Sequence, residues 1–210
     1  MKIELENISP MDIERRSFEI IGNELGVTLN PKLEPIIKRV IHTTADFDYL
    51  ENLCFSENVV DIALDIIKNN VTIVTDTTMV MAGINKKSLK KLGGKVVCFI
   101  GDDDIAMISK EKGITRSSAC VDKASNLPHP IIYAVGNAPT SLIRLYELIT
   151  EGTFKPDLII GVPVGFVNVV QSKELIMSTD VPYIVAKGRK GGSNVCASIC
   201  NAIMYMAQPR

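Results

Sequence analysis

Residues Ile132–Ser141 read IYAVGNAPTS, and Leu158–Val167 read LIIGVPVGFV. Each is a short run of apolar and β-branched residues that meets a glycine and then, within three residues, a proline. Runs that are apolar throughout, rather than alternating, suit strands buried on both faces. Glycine permits a sharp exit from the strand, and proline is preorganised for the first turn of a helix. Both stretches therefore read as strand, turn, helix. In an open α/β sheet such turns lie at the carboxyl ends of the strands, where ligands bind. Good turn chemistry alone explains them equally well.

Further runs of the same kind lie on both sides, at Val71–Thr75, Lys95–Ile100 and Tyr183–Ala186, with Ile131–Val135 and Leu158–Ile160 as the central pair. The segments between them are long enough for crossover helices, and that alternation predicts a parallel sheet covered on both faces. Before residue 70 the period changes to helical. Ile13, Ile20, Ile21 and Glu24, with Ser17 among them, share one side of a helix over Met11–Leu25. Pro31 opens a second helix, whose apolar positions are Leu33, Ile36, Ile37, Val40 and Ile41. A third runs over Val59–Ile67, with Ser56 and Asn58 as its start and Asn69–Asn70 as its stop. The expected fold is α/β: a three-layer α/β/α sandwich with an N-terminal helical extension, in one domain over residues 1–210.

The composition excludes several roles. Of 210 residues, 46% are apolar and 22% charged, which is ordinary for a chain with a sizeable core. Its 23 basic and 24 acidic side chains leave a formal charge of −1, so bulk attraction to nucleic acid or an anionic membrane is not expected. Tryptophan is absent and aromatics are 5%, which disfavours base-stacking platforms. Met1–Ser9 carries Lys2, Glu4 and Glu6 with no apolar core, so it does not read as a secretory signal. Leu158–Val170 is broken by Gly, Pro and Asn and does not read as a membrane span. The odd set Cys54, Cys98, Cys120, Cys196 and Cys200 fits a reduced, cytoplasmic protein.

Few residues are equipped for proton chemistry. His129 lies in a rigid Leu-Pro-His-Pro connection and reads as structural or exposed. His42 stands opposite the apolar stripe of the second helix with Arg39 beside it, either as a solvated face or as a cation and an imidazole offered to one ligand. Ser17 either back-bonds to the carbonyl four residues earlier or faces a cavity. Asp76, after the first strand, is at a natural N-cap position. Gly101 followed by Asp102, Asp103 and Asp104 suggests helix capping more than a metal. Lys187–Ser193 mixes three cations with three glycines just before a helix, a combination that favours an anion. Thr115–Ser118, with Arg116, is a smaller cluster of the same kind. Neither a Walker loop nor a dinucleotide fingerprint occurs, which disfavours a flavin- or nucleotide-binding domain. Cys196 and Cys200 read as core thiols.

Taken together, Glu14–Ile21, Arg39–His42, Asp76–Val80, Thr115–Ser117, Gly136–Thr140, Gly161–Val167, Ser172–Lys173 and Gly188–Ser193 resemble, in order and over nearly the whole length, the precorrin-8X methylmutase family of cobalamin biosynthesis. The resemblance implies a flavodoxin-like fold and a cofactor-free isomerase. Such an enzyme moves a methyl group from C-11 to C-12 of (cobalt-)precorrin-8 by a 1,5-sigmatropic shift, in a homodimer with shared active sites. It implies that His42 stands next to ring C, with Ser17 and Arg39 touching the substrate. The expected substrate-binding set is Ser17, Arg39, Asp76, Arg116, Asn137, Lys187 and Ser193, with Arg189 also suited to the carboxylate arms and no metal site. Met79, Met81 and Phe166 are candidates for the ring face or for core packing. A carrier that binds the tetrapyrrole product without catalysis is the alternative. Lys190 departs from the family pattern and receives no role.

Overall fold

The computed structural model describes residues 5–208. Lys2 and Glu4 of the N-terminal reading lie outside the described residues. Helices α1 (Ile13–Leu25), α2 (Glu34–Thr44) and α3 (Tyr49–Asn52) precede strand β1 (Leu53–Phe55) and α4 (Val59–Ile66). Next come β2 (Thr72–Thr75), α5 (Thr78–Gly83), α6 (Lys86–Lys91), β3 (Lys95–Val97), α7 (Asp103–Lys112) and α8 (Arg116–Ala124). The chain finishes with β4 (Ile131–Val135), α9 (Pro139–Thr150), β5 (Leu158–Gly161), α10 (Val169–Met177), β6 (Tyr183–Ala186) and α11 (Ser193–Ala207).

Among the described residues one six-stranded sheet runs in the order β1-β6-β5-β4-β2-β3. The strands from β2 to β6 are parallel, as expected. The sheet is not parallel throughout, however. β1 was not expected at all, and it pairs antiparallel with β6, Cys54 opposite Val185. Only three residues long, it carries no periodic signal. β3 ends at Val97 rather than Ile100, because its one partner β2 pairs with it only through Val74. Phe99 and Ile100 pack instead on Ile105 and Cys120.

The pleat of β4 divides the core. Ile132 and Ala134 face a layer built from α2, α4, α5 and α11. Ile131, Tyr133 and Val135 face α8, α9 and α10. Helix α11 is buried on nearly every side, since the sheet lies beneath it and α2 above it. On α2, Ile36, Ile37, Val40 and Ile41 are buried, the stripe read from the sequence.

Helix α1 departs from its reading. Ile13 and Ile20 are 53% and 39% exposed, and Ile21 is its one fully buried residue. Phe18, Ile21 and Leu25, at helical spacing, make the core stripe instead. The Ile13–Ser17–Ile20–Glu24 side therefore faces outward.

The two glycine–proline turns also differ. Pro139 occupies the first turn of α9, as expected. Pro163 does not start a helix, because α10 begins only at Val169. The intervening loop leaves Val164, Phe166 and Val167 exposed. Cys196 and Cys200 are buried thiols, as expected. His129 is structural: its ring pairs with Asp157, whose carboxylate also accepts from the Ile131 N–H at 2.7 Å.

Candidate functional site

The strand order reverses between β2 and β4, since the chain leaves β2 first for β3 and then for β4 on the other side. A crevice outside the carboxyl ends of such strands is the usual ligand position in this architecture. Asp76 stands at this reversal. Its carboxylate accepts from the backbone N–H of Gly136 at 2.9 Å, of Asn137 at 2.7 Å and of Ala138 at 2.7 Å. Burial pushes its carboxyl above the usual value, against the pull of those three donors. The structure places Asp76, expected from the sequence as a substrate contact, within the turn itself. The residue is 1% exposed and both oxygens are taken up by the turn. The N-cap of α5 falls to Thr77, whose side chain accepts from Val80 N–H.

The turn after β4 meets the start of α11. A Cβ on Gly136 would lie 2.8 Å from the Ser193 Cα, so only glycine lets the helix approach so closely. Thr77 and Ser193 hydroxyls share a hydrogen bond of 3.2 Å across this junction. Asn137 is exposed at the turn, and Ser193 is half-buried in the first turn of α11. Arg116 is exposed at the first position of α8, beside a Thr115–Thr140 hydroxyl bond of 3.0 Å that ties it to the start of α9.

The loop from Lys187 to Gly192 closes this rim. Lys187 and Arg189 are exposed, and the Arg189 guanidinium stacks 5.3 Å from the ring of Phe166, which is 78% exposed. Gly191 has φ +157°, and a Cβ there would strike the Val162 carbonyl at 2.1 Å, so the loop lies directly on the end of β5. Lys190, given no role from sequence, pairs with Asp46 and Asp48, both at 2.6 Å. Asp102 and Asp104 are likewise matched by Lys123, at 2.7 and 2.6 Å, so the acidic run is an ion-pair cluster.

A second place lies between α1 and α2. An open cleft of about 290 Å³ is lined by Ser17, Ile20, Glu24, His42, Ala45 and Phe47, among others. Ser17 meets both of its readings at once, donating to the Ile13 carbonyl at 2.9 Å while lining the cleft. His42 is exposed, and its ring meets Phe18 edge to face at 5.5 Å and 86°. Among the described residues neither imidazole nitrogen has a hydrogen-bond partner. Arg39 does not share the open face. Its side chain is 17% exposed and pairs with Glu14 at 2.5 Å. Its guanidinium lies between the rings of Tyr205, at 4.7 Å, and Phe18, at 5.3 Å. The cation is thus neutralised and sandwiched, and it supports Phe18, which in turn supports His42.

These two places are separate within one chain. Tyr205, over Arg39, is about 18 Å along α11 from Ser193 at ~1.5 Å per residue. The Lys190 ion pairs bridge them, because Asp46 sits between Ala45 and Phe47 of the cleft.

The sequence reading missed Phe18 and Lys173 as supports. Lys173 lies on α10 at helical spacing with buried Val169, Ser172 and Ile176. That spacing was a visible signal that it points inward.

Comparison with known proteins identifies the family. Residues 12–206 match the family model described as Precorrin-8X methylmutase. A cobalt-precorrin-8 methylmutase from Salmonella typhimurium is 43% identical over 93% of this chain and 95% of its own length. One from Leptospira interrogans is 38% identical, over 95% and 94%. A solved precorrin-8X methylmutase from Thermus thermophilus superposes with a TM-score of 0.85 at 37% identity, covering 93% of this chain and 97% of that one. The overall fold thus recurs in a solved relative, and the chain belongs to the precorrin-8X methylmutase family.

Proposed function

We propose that this protein is a cobalamin-pathway isomerase that moves the C-11 methyl group of cobalt-precorrin-8 to C-12. The observation that carries this reading is His42, exposed in the α1–α2 cleft with both ring nitrogens unengaged among the described residues. In a 1,5-shift the C-11–methyl bond breaks as the C-12–methyl bond forms, and no atoms or electrons are gained or lost overall. The protein has to hold one tautomer of the macrocycle and keep it oriented. His42 does the first by giving or taking a proton at ring C and reversing that transfer afterwards, so that no net proton moves. Orientation falls to the walls of the site. Phe18, backed by Arg39, holds the imidazole; Ser17 and Ile20 line the floor.

The carboxylate arms are assigned to the strand-end rim, where Arg116, Lys187 and Arg189 are exposed around Asn137 and Ser193. Phe166 and Met79, both exposed, offer apolar contact to a ring face. Asp76 and Arg39 are positioning groups in this scheme. An open cleft of about 290 Å³ is small for a tetrapyrrole, and the rim lies apart from it. We therefore assign the active form as a cytoplasmic homodimer in which one copy's rim faces the other's cleft, each copy acting as one domain.

The test is an absorbance assay with purified protein and cobalt-precorrin-8. Conversion to the cobyrinate chromophore is expected, and His42→Ala should lower kcat by about a hundred-fold or more while product still binds. Tight product binding by the wild type with no conversion would instead make it a carrier. For the dimer, mixing His42→Ala with a Lys187→Gln/Arg189→Gln variant should restore about a quarter of wild-type sites if sites are shared between copies.

A further inference from the structure

Among the described residues Lys173 is the one lysine that the fold buries completely, at 1% exposed. No carboxylate pairs with it among the described residues. Its ammonium donates to the carbonyls of Gly188 and Lys190, both at 2.8 Å. The intervening carbonyl, of Arg189, accepts from the Gly165 N–H at 3.2 Å. Every carbonyl from residue 188 to 190 is therefore drawn to a protein donor. The N–H groups of Gly188, Arg189, Lys190 and Gly191 are in the opposite condition: among the described residues none has an acceptor. Burying an ammonium without a counterion is unfavourable, and burial brings Lys173 down to about 8. Something must make this placement worthwhile, and the packing of an apolar helix would be better served by methionine or leucine.

We infer that Lys173 is a positioning residue for substrate binding: by gathering the carbonyls of Gly188 and Lys190 it turns the loop's N–H groups outward as a cradle for carboxylate arms. Successive N–H groups pointing one way form an anion-binding concavity, and a positive charge beneath it adds attraction without touching the ligand. Lys187 and Arg189 flank the cradle, and Lys190 pins its far side to Asp46 and Asp48. This deepens the proposed function and rests on it for the identity of the ligand.

The experiment compares wild type, Lys173→Met and Lys173→Gln. Methionine keeps the length without donors or charge; glutamine keeps donors without charge. Lys173→Met should raise the product Kd and the KM ten-fold or more, with kcat within about three-fold, since the shift itself occurs at His42. Lys173→Gln should fall between. Amide exchange at Gly165 and Gly192, whose N–H groups bond at the loop and under it, should quicken in both variants. A general structural role predicts instead that kcat falls with binding, and that result would overturn the assignment. Unchanged Kd and unchanged exchange would overturn it as well. If Lys173→Met does not fold, Lys173→Gln alone decides by the same criteria. If wild type neither binds nor converts the tetrapyrrole, the functional reading fails, and exchange at Gly165 and Gly192 still tells whether Lys173 orders the loop.

Discussion

Replacing Asp76 should unfasten the strand-end rim at its hinge. In Asp76→Ala three backbone donors, at Gly136, Asn137 and Ala138, lose their acceptor inside a site that is 1% exposed. A stranded buried donor costs about 1–3 kcal/mol, so the gross loss is roughly 3–9 kcal/mol. Two effects reduce it. The dehydration that raises the carboxyl pKa is relieved, and water can enter the space left and serve part of the turn. The net loss is expected at about 3–5 kcal/mol, large beside a typical total of ~5–15 kcal/mol. Asp76→Asn keeps the shape. Its one carbonyl oxygen can serve Asn137 and Ala138 together while the amide nitrogen is turned to Gly136, leaving one donor stranded for about 1–3 kcal/mol. Urea unfolding followed by circular dichroism gives both values. Alanine must be worse than asparagine, and both must weaken product binding through the displaced Asn137 turn. A loss below about 1 kcal/mol for Asp76→Ala, or the reverse order, would refute the idea that the carboxylate holds this turn.

Phe18→Leu removes the ring against which His42 sets its edge, so kcat should fall about ten-fold with product Kd nearly unchanged, as read by steady-state kinetics and titration. Gly136→Ala drives a Cβ to 2.8 Å from both the Ser193 Cα and the Val80 Cγ2; denaturation should show a loss of about 1–3 kcal/mol, with weaker product binding. Lys173 gives a pH dependence of known sign. Its folded value of about 8 lies below the ordinary 10.5, so between those values the unfolded chain holds more protons and stability rises with pH. The rise is at most about 3 kcal/mol, and Lys173→Met should flatten it in unfolding curves taken from pH 7 to 10. Equal slopes for the two proteins would count against the burial of a charged amine.

Much of this architecture was legible in local sequence. β4 and β6 lie where their continuous apolar runs placed them, and α2 buries the stripe read from its period. The anion-ready loop at Lys187–Ser193 and the exposed His42 were also visible, because residue type and spacing alone mark them. The three-residue β1 was not, since so short a segment has no period. The Pro163 turn misled, because proline permits a helix start without requiring one; the chain there spends further residues as loop before α10.

What the sequence by itself determined is therefore the set of elements and the chemistry available at their ends, both of which depend on a few neighbouring residues. The tertiary structure alone decided which groups work together. α1 offers two apolar stripes, and packing against α2 chose Phe18, Ile21 and Leu25, which left Ser17 and Ile20 for the cleft. Arg39 looked like a free cation until Glu14 and Phe18 of α1 and Tyr205 of α11 closed around it. Asp76 and Lys173 follow the same rule. A buried charge takes its partners from whatever backbone the fold brings within hydrogen-bond reach, here turns some 60 and 15 residues away along the chain.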